Sequence, residues 1–201
     1  MLAGCIRGSL FEGASVISGN DLFCNIMWLH FAKNSTIRDR VPRVIDNLMN
    51  FYLAESGIDE LVCFHDECFG TFTSVADAYG INVPFRPIHL FDYIDRRLEE
   101  LSDRIKPVNA KIAYQRPCSN RLCPETDAVL DRIFEKSGAD RISRKYDRQN
   151  ALCCGGVPRA QQKDELADDL VEKNIDDMVA VGAQYCVFNC PFCLATLGQE
   201  V

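Results

Sequence analysis

Residues 185–197 read YCVFNCPFCLATL, and residues 60–72 read ELVCFHDECFGTF. Each opens on a short apolar run suited to a buried strand and continues through a Cys or His into a second apolar-rich run. The two align without gaps: Val62 with Val187, Cys68 with Cys193, Thr71 with Thr196, and His65 where the other copy has Cys190. Upstream, NDLFC (20–24) resembles NALCC (150–154), and each is followed by a charged helical stretch and then the strand. The chain is therefore read as two related halves, 1–104 and 105–201, joined near RIKPVNA (104–110). The N-terminal copy starts late. The C-terminal copy reaches Val201 soon after its CPFC run, whereas the first half continues through a further helix to about residue 104.

Strands are expected at 59–64 (DELVCF), 110–115 (AKIAYQ) and 183–188 (AQYCVF). Helical patterns occupy 38–56, 68–79, 88–104, 125–137 and 160–181. The last carries Leu166, Leu170, Ile175 and Met178 at helical spacing, with Asp, Glu and Lys between them. This alternation predicts an α/β class: two pseudo-repeated α/β halves with short parallel sheets and cysteine loops at helix N-termini.

A hydrophobic fraction of 47% in 201 residues is enough for a real core. The net charge of −7, with a pI near 5.0, offers no basic stripe to neutralise phosphates, which argues against nucleic acid and acidic membrane surfaces. No run of eighteen apolar residues is present, so no membrane insertion is expected. The opening MLAGC lacks both a basic region and an apolar region before its cysteine and is not read as a signal. The expected location is the cytoplasm, where cysteines serve as ligands or redox groups more often than as structural disulfides. The odd count of eleven agrees, because pairing within the chain cannot be complete.

Five of those cysteines form an ordered set. Thirty-four residues separate Cys118 from the pair Cys153-Cys154, which runs into Gly155-Gly156, and thirty-five separate Cys154 from Cys190, the first cysteine of the CPFC run that ends at Cys193. Thiolates select zinc, copper(I) or iron–sulfur clusters. Each cysteine segment leads toward a helix: Cys123 through Pro124-Glu125-Thr126, the pair through Gly155-Gly156-Val157-Pro158, Cys190 through Pro191. Proline suits the first helical turn. Helix N-termini bring unpaired N–H groups that lower thiolate pKa, and glycine lets the backbone approach closely. Convergence of these starts would bring five thiolates into one electropositive pocket.

Over residues 110–197 this pattern resembles the CCG domain found in the cysteine-rich, disulfide-reducing subunit of the heterodisulfide reductase family. Relatives of that family include iron–sulfur subunits of glycolate and lactate oxidases and of some quinone-linked dehydrogenases. The resemblance implies a noncubane [4Fe-4S] cluster held by Cys118, Cys153, Cys154, Cys190 and Cys193. It implies a redox subunit that opens a disulfide by binding its sulfurs at iron, or that relays electrons. A ferredoxin-type iron–sulfur subunit or a flavoprotein would be the electron donor. The family carries two such domains in tandem, whereas residues 1–104 lack the paired cysteines. That half is expected to be a degenerate copy, with one cluster per chain.

In the N-terminal half, Cys5, Cys24, His65 and Cys68 form a candidate second site. Two readings stand open there: an altered metal site, for which histidine among cysteines suits zinc or an iron of raised potential, or buried thiols left by decay. Cys63 and Cys186 are read as core. Cys123 is an extra ligand, a resolving thiol, or neither. His30 and His89 are read as ordinary polar or partly buried residues. Asp66 and Glu67 either tune the His65 site or form a solvated helix start. Arg116 and Arg159 either bind an anion near the cysteines or lie on the surface. DELADD (164–169) is read as a solvated helix face.

No dinucleotide fingerprint or P-loop is present, so neither flavin nor NAD is expected on this chain. Two other functions compete with the iron–sulfur subunit. One is a structural or assembly module holding zinc, although zinc takes four ligands rather than five. The other is a dithiol enzyme cycling Cys153-Cys154 or Cys190/Cys193, which leaves three motif cysteines unexplained.

Overall fold

Glu60–Cys63 forms strand β1, and Arg86–His89 forms β2, paired with it in parallel from Glu60 opposite Arg86 to Cys63 opposite His89. The computed structural model describes residues 8–17, 19–22, 32–54 and 57–199. It divides into two compact units, Met1–Glu100 and Leu101–Val201.

In the first unit, helix α1 (Asn34–Leu48) buries Val41, Val44, Ile45 and Leu48, which recur at helical spacing. These pack with Leu53, Cys63, Phe72 and Phe85. After β1 the chain forms α2 (Asp66–Gly70), a wide π turn (Thr71–Val75) and α3 (Ala76–Tyr79). The widening coincides with three hydroxyls that donate back to carbonyls four residues earlier: Thr71 to Glu67, Thr73 to Phe69, and Ser74 to Gly70. Such back-bonds compete with the helical amide ladder. Gly80 ends α3 in the left-handed region. Helix α4 (Leu90–Glu100) follows β2 directly.

The second unit is built on β3 (Ala110–Gln115), flanked by β4 (Ala139–Arg141) and β5 (Tyr185–Phe188), all parallel, in the order β4-β3-β5. As the central strand, β3 is buried on both faces apart from Lys111. Helix α5 (Thr126–Ser137) packs Phe134 edge-on against Tyr114, and Gly138 closes it in a left-handed cap. Helices α6 (Gly156–Ala160) and α7 (Asp164–Ala180) precede β5, and α8 (Pro191–Leu197) follows it. Ala113, Cys154, Met178, Cys190, Cys193 and Leu197 form one buried cluster.

The expected α/β class and parallel sheets are observed, as are strands at all three predicted positions. Two strands escaped the sequence reading. β2 (RPIH) has no apolar run and carries a proline, tolerated because the strand lies at the edge of a two-stranded sheet. It overlaps the start of the helix predicted over 88–104, which instead begins at Leu90. β4 is only three residues long. The helix predicted over 160–181 is observed as α7, which starts only at Asp164: Ala160 closes the short α6, and Gln162 between the two takes φ +59°. Among the described residues no helix is long and apolar enough to cross a membrane.

Candidate metal centre

The C-terminal ends of the strands in the second unit carry the cysteines. β3 ends at Gln115, and Arg116-Pro117 lead to Cys118, exposed at the start of a 3-10 turn (Cys118–Leu122). A second 3-10 turn, Arg148–Asn150, precedes an irregular loop that holds Cys153, half-buried, and Cys154, buried. At the end of β5, Cys190 occupies the N-cap of α8 and Pro191 its first turn, where a missing N–H costs nothing. Cys193 lies one turn further and is buried.

Two glycines let the pair approach. Gly155 takes φ +87°, and a Cβ there would stand 2.7 Å from the Ala167 carbonyl oxygen of α7. A Cβ on Gly156 would stand 3.2 Å from Phe192 Cδ1 and 3.4 Å from Cys154 Sγ. Gly155 is closed to larger residues by its φ and by the Ala167 backbone, whereas at Gly156 the neighbouring side chains would have to shift by a few tenths of an ångström.

The five sulfurs act on one another. Cys153 and Cys193 both hydrogen-bond to Cys154, Cys193 is linked to Cys190, and the charge of Cys118 acts on Cys153. The Cys154 thiol is pulled down, first by the bond from Cys153 and then by that from Cys193, against its burial. The Thr196 hydroxyl and the Gly156 amide add to this. Cys153 is pushed up by donating to Cys154 and by burial, with the Gly155 amide opposing. Cys193 is pushed up by its bonds with Cys154 and Cys190, then by burial. The bonds from its neighbours thus favour the thiolate form at Cys154. A soft metal would replace the remaining thiol protons.

The donor set fits a thiolate-ligated centre on two further counts. Among the described residues, the nine cysteines are thiols rather than disulfides. Asn189, next to Cys190, buries its side-chain Nδ2 with no hydrogen-bond acceptor. An orphan donor beside thiols is a group that an anionic centre would satisfy.

The other candidates are distributed as follows. Cys123 is fully buried, and its carbonyl accepts from the Thr126 hydroxyl at 2.8 Å, within the turn that starts α5. Cys186 is half-buried with its Sγ 3.4 Å from Met178 Sδ; burial pushes its thiol up, and the charge of Arg144 opposes this. Arg116 Nε lies 3.0 Å from Asp127 Oδ2, and Arg116 Nη1 donates to the Arg148 carbonyl at 3.0 Å. Arg159 lies 2.6 Å from Asp168 on the exposed side of α7. The DELADD segment is exposed except for Ala167, as a solvated face requires.

In the first unit, Cys5, Cys24 and His30 lie outside the described residues. His65 caps α2, at the place Cys190 holds on α8: its Nδ1 accepts the Glu67 amide at 3.2 Å. A ring nitrogen here serves as the capping acceptor. Cys63 is buried in the core as expected; burial, then the charge of half-buried Cys68, push its thiol up. Asp66 and Glu67 are fully buried, which corrects their reading as a solvated helix start. The physical reason lies in His89, also fully buried, whose Nε2 is 3.1 Å from Asp66 Oδ1. Its Nδ1 accepts the Phe91 amide at 3.1 Å, so the proton belongs on Nε2 and is donated to Asp66. Both ring nitrogens are engaged, and the pair joins the end of β2 to the start of α2.

Sequence reasoning missed Gln115, Arg144, Asn174 and Asn189, all buried polar residues of the second unit. Asn174 left a trace: it stands between Leu170 and Met178 at four-residue spacing, on the apolar stripe of α7. Residues 112–198 match the family model of CCG, a cysteine-rich domain. The match covers all five cysteines of the interacting set and supports a CCG-type cysteine-rich domain in the second unit, with a metal-binding or redox role.

Proposed function

We infer that this chain is an iron–sulfur redox subunit resembling the cysteine-rich, disulfide-reducing subunit of heterodisulfide reductase. Cys118, Cys153, Cys154, Cys190 and Cys193 would hold a noncubane [4Fe-4S] cluster. The observation that carries the reading is that Cys154, Cys190 and Cys193, from two separate segments, pack in one buried cluster within the residues that match the cysteine-rich family model, a match that also takes in Cys118 and Cys153. Five sulfur donors exceed the four that a structural zinc takes. Such a cluster, when bound, supplies one-electron chemistry and iron with affinity for sulfur.

The chain's own residues bind and shield. Cys154, Cys190 and Cys193 are buried, whereas Cys118 is exposed and Cys153 half-buried, so solvent and a substrate sulfur reach the set from the Cys118 side. Reduction of a disulfide consumes two electrons and two protons, breaks one S–S bond and leaves two thiols. The electrons come from a ferredoxin-type iron–sulfur subunit or a flavoprotein, and the place of action is the cytoplasm. The first unit is a degenerate copy of the second. This is supported by β1–α2 and β5–α8 lying 125 positions apart with His65 and Cys190 at the same cap.

The test is anaerobic purification with iron, sulfide and zinc analysis and EPR, on wild type and Cys153→Ser. About four irons per chain with matching sulfide, lost in the variant, are expected for the cluster. One zinc without sulfide would replace this reading with a structural zinc module.

A further inference from the structure

The loop that carries the cysteine pair has no regular structure, yet two consecutive carbonyls in it are held by buried amide side chains from different elements. Gln115 Nε2, at the end of β3, donates to the Leu152 carbonyl at 2.9 Å. Asn174 Nδ2, in the middle of α7, donates to the Cys153 carbonyl at 3.0 Å and to the Leu170 carbonyl of its own helix at 2.8 Å. Gln115 and Asn174 are both fully buried.

Gln115 is itself held. Arg144 Nη2 donates to Gln115 Oε1 at 3.3 Å and to the Tyr114 carbonyl at 2.9 Å, while Arg144 Nη1 reaches Asp177 Oδ2 at 2.9 Å. Asp177 is fixed in turn by the amides of Lys145 and Tyr146. The relay leaves the Gln115 amide one orientation, with its NH₂ toward Leu152.

A trans peptide sets C=O and N–H on opposite sides. Fixing the Leu152 and Cys153 carbonyls against Gln115 and Asn174 therefore turns the amides of Cys153 and Cys154 the other way. The next two amides, Gly155 and Gly156, hydrogen-bond to the sulfurs of Cys153 and Cys154. Backbone N–H groups aimed at an anionic sulfur stabilise its charge.

We propose that Gln115 and Asn174 are positioning residues that orient the Leu152–Gly156 backbone so that its amides face the thiolates, and so tune the potential of the centre held there. This rests on the metal-centre reading of the five cysteines. Amide hydrogen bonds to ligand sulfur favour the more negative, reduced state and raise the potential.

The experiment compares wild type, Asn174→Ser and Gln115→Met after anaerobic iron–sulfide reconstitution. Serine keeps a hydroxyl able to bond Leu170 four residues back but is too short for Cys153. Methionine keeps the volume of Gln115 without its donor. Far-UV circular dichroism checks folding, and EPR-monitored titration gives the midpoint potential. Both variants are expected to fold and take up iron, with a midpoint potential below that of wild type and an altered EPR signal. The two substitutions act from different elements, so either one, folded, decides the matter. A merely structural role lowers the melting temperature and leaves signal and potential at wild-type values, which overturns the proposal. Failure of wild type itself to take up iron overturns the metal-centre reading and this proposal with it.

Discussion

Gly155 carries the sharpest constraint of any single residue at the cysteine site. Its φ of +87° is open to glycine, and a Cβ would stand 2.7 Å from the backbone oxygen of Ala167, which cannot give way as a side-chain tip would. Gly155→Ala is expected to cost about 1–3 kcal/mol, the range for a non-glycine residue forced into the left-handed region. It should also displace the amide that bonds to Cys153. Urea unfolding and metal analysis of the same variant check both effects. A loss below about 0.5 kcal/mol would mean that the loop relaxes around the methyl group. The five cysteines and the two glycines were legible in the sequence, because their spacing is regular and thiols and glycines have few other reasons to be so placed. Gln115 and Arg144 were not, because their role is to bond a carbonyl and an amide brought close only by tertiary folding. The burial of Asp66 was illegible for the same reason: its partner His89 is twenty-three residues away.

Ion pairs join the elements around β4. Arg141 bonds Asp131 of α5 at 2.8 Å and Asp147 at 2.7 Å, and Arg148 of the 3-10 turn bonds Asp131 at 2.9 Å. Burial alone would raise the carboxyl of Asp131, but the bond from Arg148 and the charge of Arg141 outweigh it, and the group sits below its ordinary range. Asp127 shows the opposite balance. Burial pushes it up, and the charges of Arg116, Arg141 and Arg148 only partly offset this. The signs follow by linkage. A depressed carboxyl contributes stability above its unfolded pKa and loses it as pH falls through the folded value. A raised one carries a cost at neutral pH that is relieved on protonation. Mild acid should therefore relieve Asp127 before stronger acid removes the Asp131 contribution. Asp131→Asn is expected to remove the strong-acid part of the loss, amounting to about 0.5–1 kcal/mol, because both partners at the Arg148 end are partly solvated. Unfolding free energies from pH 7 to pH 3 for wild type and variant check this, and parallel curves would remove the assignment. At this scale the sequence showed strands wherever apolar runs marked them. β2 and β4 stayed hidden because parallel pairing, not composition, makes them strands.

Across the whole molecule, the repeat predicts a division of labour between two α/β units. The same strand, turn and helix occur in each, with a capping residue that is Cys190 in one and His65 in the other. In the second unit that cap belongs to a set of five interacting thiols. In the first, His65 Nδ1 is committed to the Glu67 amide, His89 is committed to Asp66 and the Phe91 amide, and Cys63 is a high-pKa core thiol. Backbone amides occupy Nδ1 of both His65 and His89, and Asp66 occupies Nε2 of His89, which removes three ring nitrogens that a metal would otherwise use. The full chain is therefore expected to hold one metal centre. His65→Gln and Cys68→Ser should leave iron and zinc per chain unchanged, whereas Cys153→Ser abolishes the iron. Metal analysis of the three variants, purified side by side without oxygen, checks this. Zinc present in wild type and lost in His65→Gln and Cys68→Ser alike would instead place a second metal in the first unit, and the repeat would then be two working sites of different chemistry.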